Sequence, residues 1–155
     1  RDVLGSRGLG DVYKRQQWSD TANAGFTSGT PWMKINENYR EIHADAQLKD
    51  PDSVFRFYQK VLALRKTYAD IVRDGAFVPI DAQNREVLAF ARRLGSRQLL
   101  VVCSLSPKPA RVKIPAELCT GGAQLLLSNM EAPPALTETM RLAPCASVVW
   151  ELCMD

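Results

Sequence analysis

Histidine is almost missing from this chain: His43 is the only one among 155 residues. The four cysteines, Cys103, Cys119, Cys145 and Cys153, are spaced too widely for any Cys-x-x-Cys pair, and none lies near His43 in sequence. No zinc site and no other metal site is therefore expected. The chain also lacks a Gly-x-Ser-x-Gly elbow, so a hydrolase triad of that kind has no nucleophile turn, and no cofactor is expected either. No run of 18 apolar residues is present, nor an apolar stretch followed by a small-residue cleavage site. Neither a membrane-spanning helix nor a secretion signal is therefore expected in this segment. An even number of cysteines without a secretion signal reads as reduced thiols in a cytoplasmic protein. Cys103, inside Leu99-Leu100-Val101-Val102-Cys103, reads as a small buried hydrophobe.

Charge is equally scarce as a clue. The net charge is +3, from 20 basic and 17 acidic residues. Residues 1–16, RDVLGSRGLGDVYKRQ, have no apolar period and resemble translated adapter sequence, so they read as a leader foreign to the rest. Subtracting their four basic and two acidic groups leaves 16 against 15, or +1. Such a body gives no reason to expect nucleic acid or an anionic membrane as partner. Arg92, Arg93 and Arg97 form one basic cluster, but without the interleaved aromatics of a nucleic-acid surface it reads as a solvated hairpin end.

What the chain does have is an aromatic loop followed by one amphipathic helix. From Trp18 to Lys49 neither period 2 nor period 3.6 is sustained, yet Trp18, Phe26, Trp32, Met33, Ile35, Tyr39 and Ile42 fall there. A loop this long and this aromatic is expected to pack against something and to contribute to a binding surface. Asp50-Pro51-Asp52 reads as the start of a helix running to Tyr68, with Asp50 as N-cap and Pro51 in the first turn. On a helical wheel Val54, Phe55, Phe57, Tyr58, Val61, Leu62 and Leu64 share one half, which predicts a wide buried face. Arg65 lies inside that arc, where a structural ion pair is expected.

After Gly75 the pattern changes to short β-branched and aliphatic runs. Strands are predicted over 76–80, 86–94, 98–105, 110–114, 123–128, 136–142 and 146–152. Gly95-Ser96 reads as a hairpin turn, and the prolines at 107 and 109 as a second break. Seven such strands predict an antiparallel sandwich from about residue 71 to 155. Its aromatics, Phe77, Phe90 and Trp150, have apolar neighbours and read as core.

A loop and one helix with a half-circumference apolar face do not make a domain, because the helix lacks a partner layer. The sandwich covers part of the face at most, which leaves the remainder for residues preceding this segment. At this point several clusters gain meaning together: Gln17-Trp18-Ser19-Asp20, Asn23-Ala24-Gly25-Phe26-Thr27, Gly29-Thr30-Pro31-Trp32, Asn38-Tyr39, Asp50-Pro51-Asp52-Ser53 and Ala63-Leu64-Arg65-Lys66. They resemble, in order, the carboxyl-terminal part of family 13 glycoside hydrolases of the oligo-1,6-glucosidase and α-glucosidase type. The residues after Gly75 are more loosely similar to that family's C-terminal β domain.

The resemblance implies an α+β piece: residues 17–70 as the last loop and helix of a (β/α)8 barrel, and 71–155 as the β sandwich. It implies a retaining, exo-acting enzyme on α-glucosidic bonds with an oligosaccharide substrate and the barrel of the same chain as structural partner. Retention uses two carboxyl groups about 5 Å apart on barrel strand ends. The family's nucleophile, acid and base residue, and second aspartate all precede Gln17, so no catalytic residue is expected here. Gln17, Trp18 and Asp20 are the candidate substrate contacts, since the family's Met-Gln-Trp-Asp stretch follows the last barrel strand, although Ser19 stands where the family usually has Asp. His43, where the family usually has Asn, reads as a hydrogen-bonding loop residue. Isomalto-oligosaccharides, maltose-like sugars and trehalose 6-phosphate all remain as substrates. A stand-alone carbohydrate-binding sandwich is the alternative, and it would require a coplanar, exposed aromatic pair among Phe77, Phe90 and Trp150.

Overall fold

The computed structural model describes residues 16–32, 34–131 and 135–153. The expected leader, apart from Gln16, and Met33 of the loop lie outside the described residues. The chain divides into two compact units, the first ending at Gln59 and the second beginning at Lys60.

The first unit is built from turns. Residues Ala22–Gly25 and Glu37–Arg40 form single 3-10 turns, and α1 spans Ala44–Lys49. Helix α2, Val54–Thr67, begins here and runs across the division at Gln59. Its start corrects the predicted one by about three residues. Asp50 instead ends α1, and its Oδ1 accepts the Asp52 N–H at 2.9 Å in a turn that carries Pro51. Ser53 performs the capping: its Oγ accepts from the Arg56 N–H at 3.2 Å while donating to the Gln47 carbonyl at 2.6 Å. Capping from Ncap to the third helical amide in this way satisfies a donor the helix leaves orphaned. The apolar half of α2 is only partly covered among the described residues, with Phe57, Val61 and Leu64 half-buried. None of its side chains is buried; Val54 is 73 % exposed, Tyr58 64 % and Leu62 55 %. The loop is likewise little covered by the described residues: Trp18, Phe26, Trp32 and Ile42 are exposed, Ile35 and Tyr39 are half-buried, and Ala24 alone is a buried hydrophobe of this unit. Arg65 is exposed, and no ion pair among the described residues involves it.

The second unit is a β sandwich with a short helix laid on it. After α2 the chain turns at Tyr68 (φ −103°, ψ 30°) into α3, Ala69–Asp74, a helix too short for its own periodicity to register in the sequence. Strands β1 (Ala76–Ile80), β2 (Val87–Leu94), β3 (Arg97–Ser104), β4 (Ala110–Lys113), β5 (Gly122–Ser128), β6 (Thr139–Leu142) and β7 (Ser147–Cys153) follow. Seven strands were predicted, and each lies within three residues of its expected start. All pairings are antiparallel: one sheet has the order β1-β2-β3-β7-β5, and the other pairs β4 with β6. Pro79 is tolerated because β1 is an edge.

Between the sheets lies one core. Val87, Ala89 and Ala91 of β2 alternate inward with Leu100 and Val102 of β3 and Val148, Trp150 and Leu152 of β7. Ala110, Val112, Met140 and Leu142 close it from the small sheet, while Arg111 and Arg141 face outward. This strict alternation is what made the strands legible. Of the three aromatics expected in the core, only Trp150 is buried. Phe77 is 56 % exposed and Phe90 half-buried, because they occupy the opposite face of the large sheet.

Basic residues at the β2–β3 hairpin are structural rather than merely solvated. Arg92 Nη2 donates to the Val72 carbonyl at 2.7 Å, satisfying the C-terminal end of α3. Arg93 Nε donates to Gln98 Oε1 at 2.7 Å, and Arg97 pairs with Asp70 at 2.9 Å. Tyr68 Oη donates to Glu151 Oε2 at 2.6 Å, and this carboxylate, with the partial burial of the ring, holds the phenol above its ordinary pKa of 10.0. Together these bonds fix α3 and the preceding Tyr68 to β2, β3 and β7. All four cysteines are free, with Cys103 and Cys119 half-buried and Cys145 and Cys153 exposed. Burial, reinforced by Glu138 and Glu117, raises the Cys119 thiol above its ordinary value.

Candidate functional site

The candidate contacts Gln17, Trp18 and Asp20 lie at the entry to the first unit, ahead of a tight left-handed turn. Asn23, Ala24 and Gly25 all have positive φ, at 54°, 56° and 64°. Asparagine visits this region at modest cost, whereas alanine pays about 1–2 kcal/mol there. The turn is held in place by the carbonyl of Ala24, which accepts from both the Trp18 and Ser19 N–H groups at 2.9 and 3.2 Å. The Asn23 side chain donates to the carbonyls of Thr27 and Gly29 at 3.1 and 3.0 Å, closing the far side. A shallow hollow of about 440 Å³ is lined by Thr21, Ala22, Asn23, Gly25, Phe26, Thr27 and Ser28.

This scaffold fixes Gln17 and Trp18 from two directions. Besides the turn, the Gln17 carbonyl accepts from Ala44 N–H at 2.8 Å and the Trp18 carbonyl from Asp45 N–H at 3.0 Å, so the N-terminus of α1 clamps the same dipeptide. The Gln17 side chain donates to Asn38 Oδ1 at 2.9 Å and is half-buried, while the Trp18 ring is 53 % exposed. Asp20 is exposed at the bend before the turn. Gln17 and Trp18 are thus held by backbone on both sides, and Asp20 is merely nearby. His43 sits at the N-cap position of α1 with Nδ1 3.0 Å from the Tyr39 carbonyl, a loop-bonding role. Glu37 is kept below the ordinary carboxyl pKa by a hydrogen bond from Lys34, a surface pair rather than an acid–base device.

Asn38 and Asn23 escaped the sequence reading as site residues. Asn23-Ala24-Gly25 carried the signal, since asparagine two residues before glycine is a left-handed turn signature. Among the described residues no group of three or more His, Cys, Asp or Glu side chains is arranged to hold a metal. Nor does any described helix have the length and apolarity to cross a membrane.

The chain, with its Gln-Trp dipeptide braced by backbone groups on both sides, its amphipathic helix and its β sandwich, matches two protein families in succession. "Alpha amylase, catalytic domain" matches residues 7–75, and "Maltogenic Amylase, C-terminal domain" matches residues 77–147. The chain belongs to glycoside hydrolase family 13, combining the end of the catalytic domain with the C-terminal domain.

Its relatives narrow the class. An oligo-1,6-glucosidase of Parageobacillus thermoglucosidasius is 35% identical over 147 residues, 94% of this chain and 26% of that protein. A trehalose-6-phosphate hydrolase of Bacillus subtilis is 40% identical over 138 residues, 88% of this chain and 24% of that protein. The crystal structure of trehalose-6-phosphate hydrolase from Bacillus licheniformis superposes with a TM-score of 0.82 at 34% identity, covering 90% of this chain and 25% of that one. The isomaltulose synthase of Erwinia rhapontici gives 0.80 at 33% identity, with the same coverage. The chain spans about a quarter of the length of the curated relatives it matches.

Proposed function

We propose that these residues form the end of a retaining, exo-acting α-glucosidase of the oligo-1,6-glucosidase type. Residues 17–70 are the last loop and helix of its (β/α)8 barrel, and residues 71–155 its C-terminal β domain. The carboxylates that break the glycosidic bond come from barrel strands preceding Gln17, and the segment alone does no chemistry. Gln17 and Trp18 face the oligosaccharide, with Asp20 at the margin. Four free cysteines fit a reducing cytoplasm. The observation that carries this reading is the 35% identity to an oligo-1,6-glucosidase along 94% of the chain.

Trehalose 6-phosphate is the second substrate reading, favoured by the 40% identical relative. The accessory-module reading loses its support, because the Phe77 and Phe90 rings, 5.0 Å apart, are tilted by 32° and offer no flat platform for a sugar.

A fusion tests the proposal. Residues 17–155 are joined to the Parageobacillus enzyme in place of the quarter they match. The fusion is expected to release nitrophenol from a nitrophenyl α-glucoside, whereas the 155-residue chain alone and the host enzyme cut at the junction are not. An inactive fusion, or turnover by the chain alone, overturns the reading.

A further inference from the structure

Three backbone polar groups of the dipeptide Gln17-Trp18 are committed inside the first unit. Its two carbonyls accept from the Ala44 and Asp45 N–H groups, and the Trp18 N–H donates to the Ala24 carbonyl. What the dipeptide can still offer a ligand is therefore set by its side chains. A side-chain amide has a donor end and an acceptor end, and the end left unengaged decides what it recognises. For Gln17 the nitrogen is tied down, since Nε2 donates to Asn38 Oδ1 at 2.9 Å. Among the described residues nothing donates to Gln17 Oε1, so the half-buried amide is left with an unengaged acceptor.

Asn38 is itself held by the chain around it. It lies inside the 3-10 turn Glu37–Arg40, and the side chain of Asn36, the N-cap of that turn, accepts the Asn38 N–H at 3.5 Å. The Asn38 carbonyl accepts from the Glu41 and Ile42 N–H groups at 3.0 and 2.9 Å. A residue bonded through both main-chain groups swings little, so its side-chain oxygen is a fixed point from which the Gln17 amide takes its direction.

We propose that Asn38 is a positioning residue: it holds the Gln17 amide with its nitrogen toward Asn38 and its carbonyl oxygen away, and so makes Gln17 an acceptor for a hydroxyl group of the sugar. This rests on the proposed function, in which Gln17 faces the oligosaccharide, and adds the polarity of that contact. A sugar hydroxyl donates to such an oxygen, whereas a phosphate dianion brings only acceptors and finds no match there. The Asp20 carboxylate at the margin offers acceptors as well, and the Trp18 and Ser19 N–H groups that would suit an anion are committed to the Ala24 carbonyl. The contact is to a neutral hydroxyl and is not a phosphate clamp.

The test uses the fusion described above, with isomaltotriose as substrate and KM and kcat followed separately. Asn38→Ala is expected to raise KM about two- to tenfold with kcat within about twofold, the mark of lost binding that ground and transition states share. Asn38→Asp, an acceptor without a donor, keeps the Gln17 nitrogen facing it and is expected to recover KM to within about twofold of the unsubstituted fusion. Gln17→Ala is expected to raise KM at least as much as Asn38→Ala, and adding Asn38→Ala to it should raise KM no further, because the second residue acts only through the first. The 155-residue chain gives a readout without catalysis: exchange of the Gln17 side-chain amide protons, read by NMR, should quicken severalfold in Asn38→Ala while the melting midpoint stays in place. An unchanged KM in Asn38→Ala, an Asn38→Asp variant as impaired as Asn38→Ala, or losses that add in the double variant each overturn the assignment. An inactive unsubstituted fusion overturns the proposed function and this assignment with it, whereas a KM that responds to Gln17→Ala but not to Asn38→Ala removes the assignment alone.

Discussion

The two units differ in what holds them together. Of the 19 buried hydrophobic residues among those described, only Ala24 falls in the first unit; the other 18 lie in the second. The β unit carries its own core, whereas the first unit is a web of backbone and side-chain hydrogen bonds around turns. Net hydrogen-bond stabilisation is about 1 kcal/mol each, while burying a large aliphatic side chain contributes about 1.5–3 kcal/mol. Cooperative stability should therefore reside in the β unit, and the turn-built unit should borrow order from whatever covers the apolar half of α2.

The largest effect that breaks or upholds this contrast is a pair of identical truncations. Leu100→Ala removes a side chain with no exposed surface from the sandwich core and should cost about 2–5 kcal/mol. Leu48→Ala acts on α1 in the first unit, where the leucine is 42 % exposed and alanine is an equally good helix former. It should change stability by less than about 0.5 kcal/mol. Urea unfolding of both variants decides the point: a comparable loss for Leu48→Ala would mean that the first unit is packed in solution.

Which parts could be read from the sequence follows the same division. The β strands announced themselves through alternation, as in Ala110-Arg111-Val112-Lys113, where inward and outward residues differ in kind. The outer face of the large sheet broke that rule, and Phe77 was assigned to the core because its neighbours are apolar on both sides. The amphipathic half of α2 was visible, but its beginning was not: Asp50 and Ser53 are both good caps, and only the presence of α1 upstream assigns Asp50 to an ending and Ser53 to a start. Six-residue helices such as α1 and α3 span too few turns to display a period. At the candidate site, Gln17 and Trp18 were named through family resemblance alone, and the bond that Asn38 accepts from Gln17 was invisible because it bridges 21 residues of irregular chain.

An intermediate effect probes the β unit where it departs from regular strands. Asp81 has φ 49°, and its Oδ2 accepts from Asn84 Nδ2 at 2.9 Å and from the Lys113 N–H at 3.1 Å, stitching the β1–β2 turn to β4. The Asn84 side chain foremost, then the Lys113 amide, hold this carboxyl below its ordinary value of 3.8. A depressed folded-state pKa contributes stability that is present above 3.8 and lost as pH falls through the folded value. Asp81→Ala should cost about 1–2 kcal/mol near neutrality, from the lost acceptor and an alanine at positive φ. The gap between wild type and Asp81→Asn, which keeps an acceptor and tolerates the turn, should narrow on acidification below 3.8. Parallel stability curves for the two proteins would show that the charge contributes nothing.

The smallest global effect, and the sharpest local one, belongs to the left-handed turn. Gly25 has φ +64°, and a β-carbon there would lie 2.5 Å from Ser19 Oγ. A β-branched residue meets both a forbidden backbone region and a collision. Gly25→Val should therefore open the turn that receives the Trp18 and Ser19 amides at the Ala24 carbonyl. Hydrogen exchange at those two amides should accelerate strongly, while amides of β3 and β7 and the unfolding midpoint of the β unit stay as they were. Local opening without global loss is what a region lacking its own core permits. Exchange that accelerates in the sandwich as well would mean that the two units unfold as one, and the contrast between them would have to be given up.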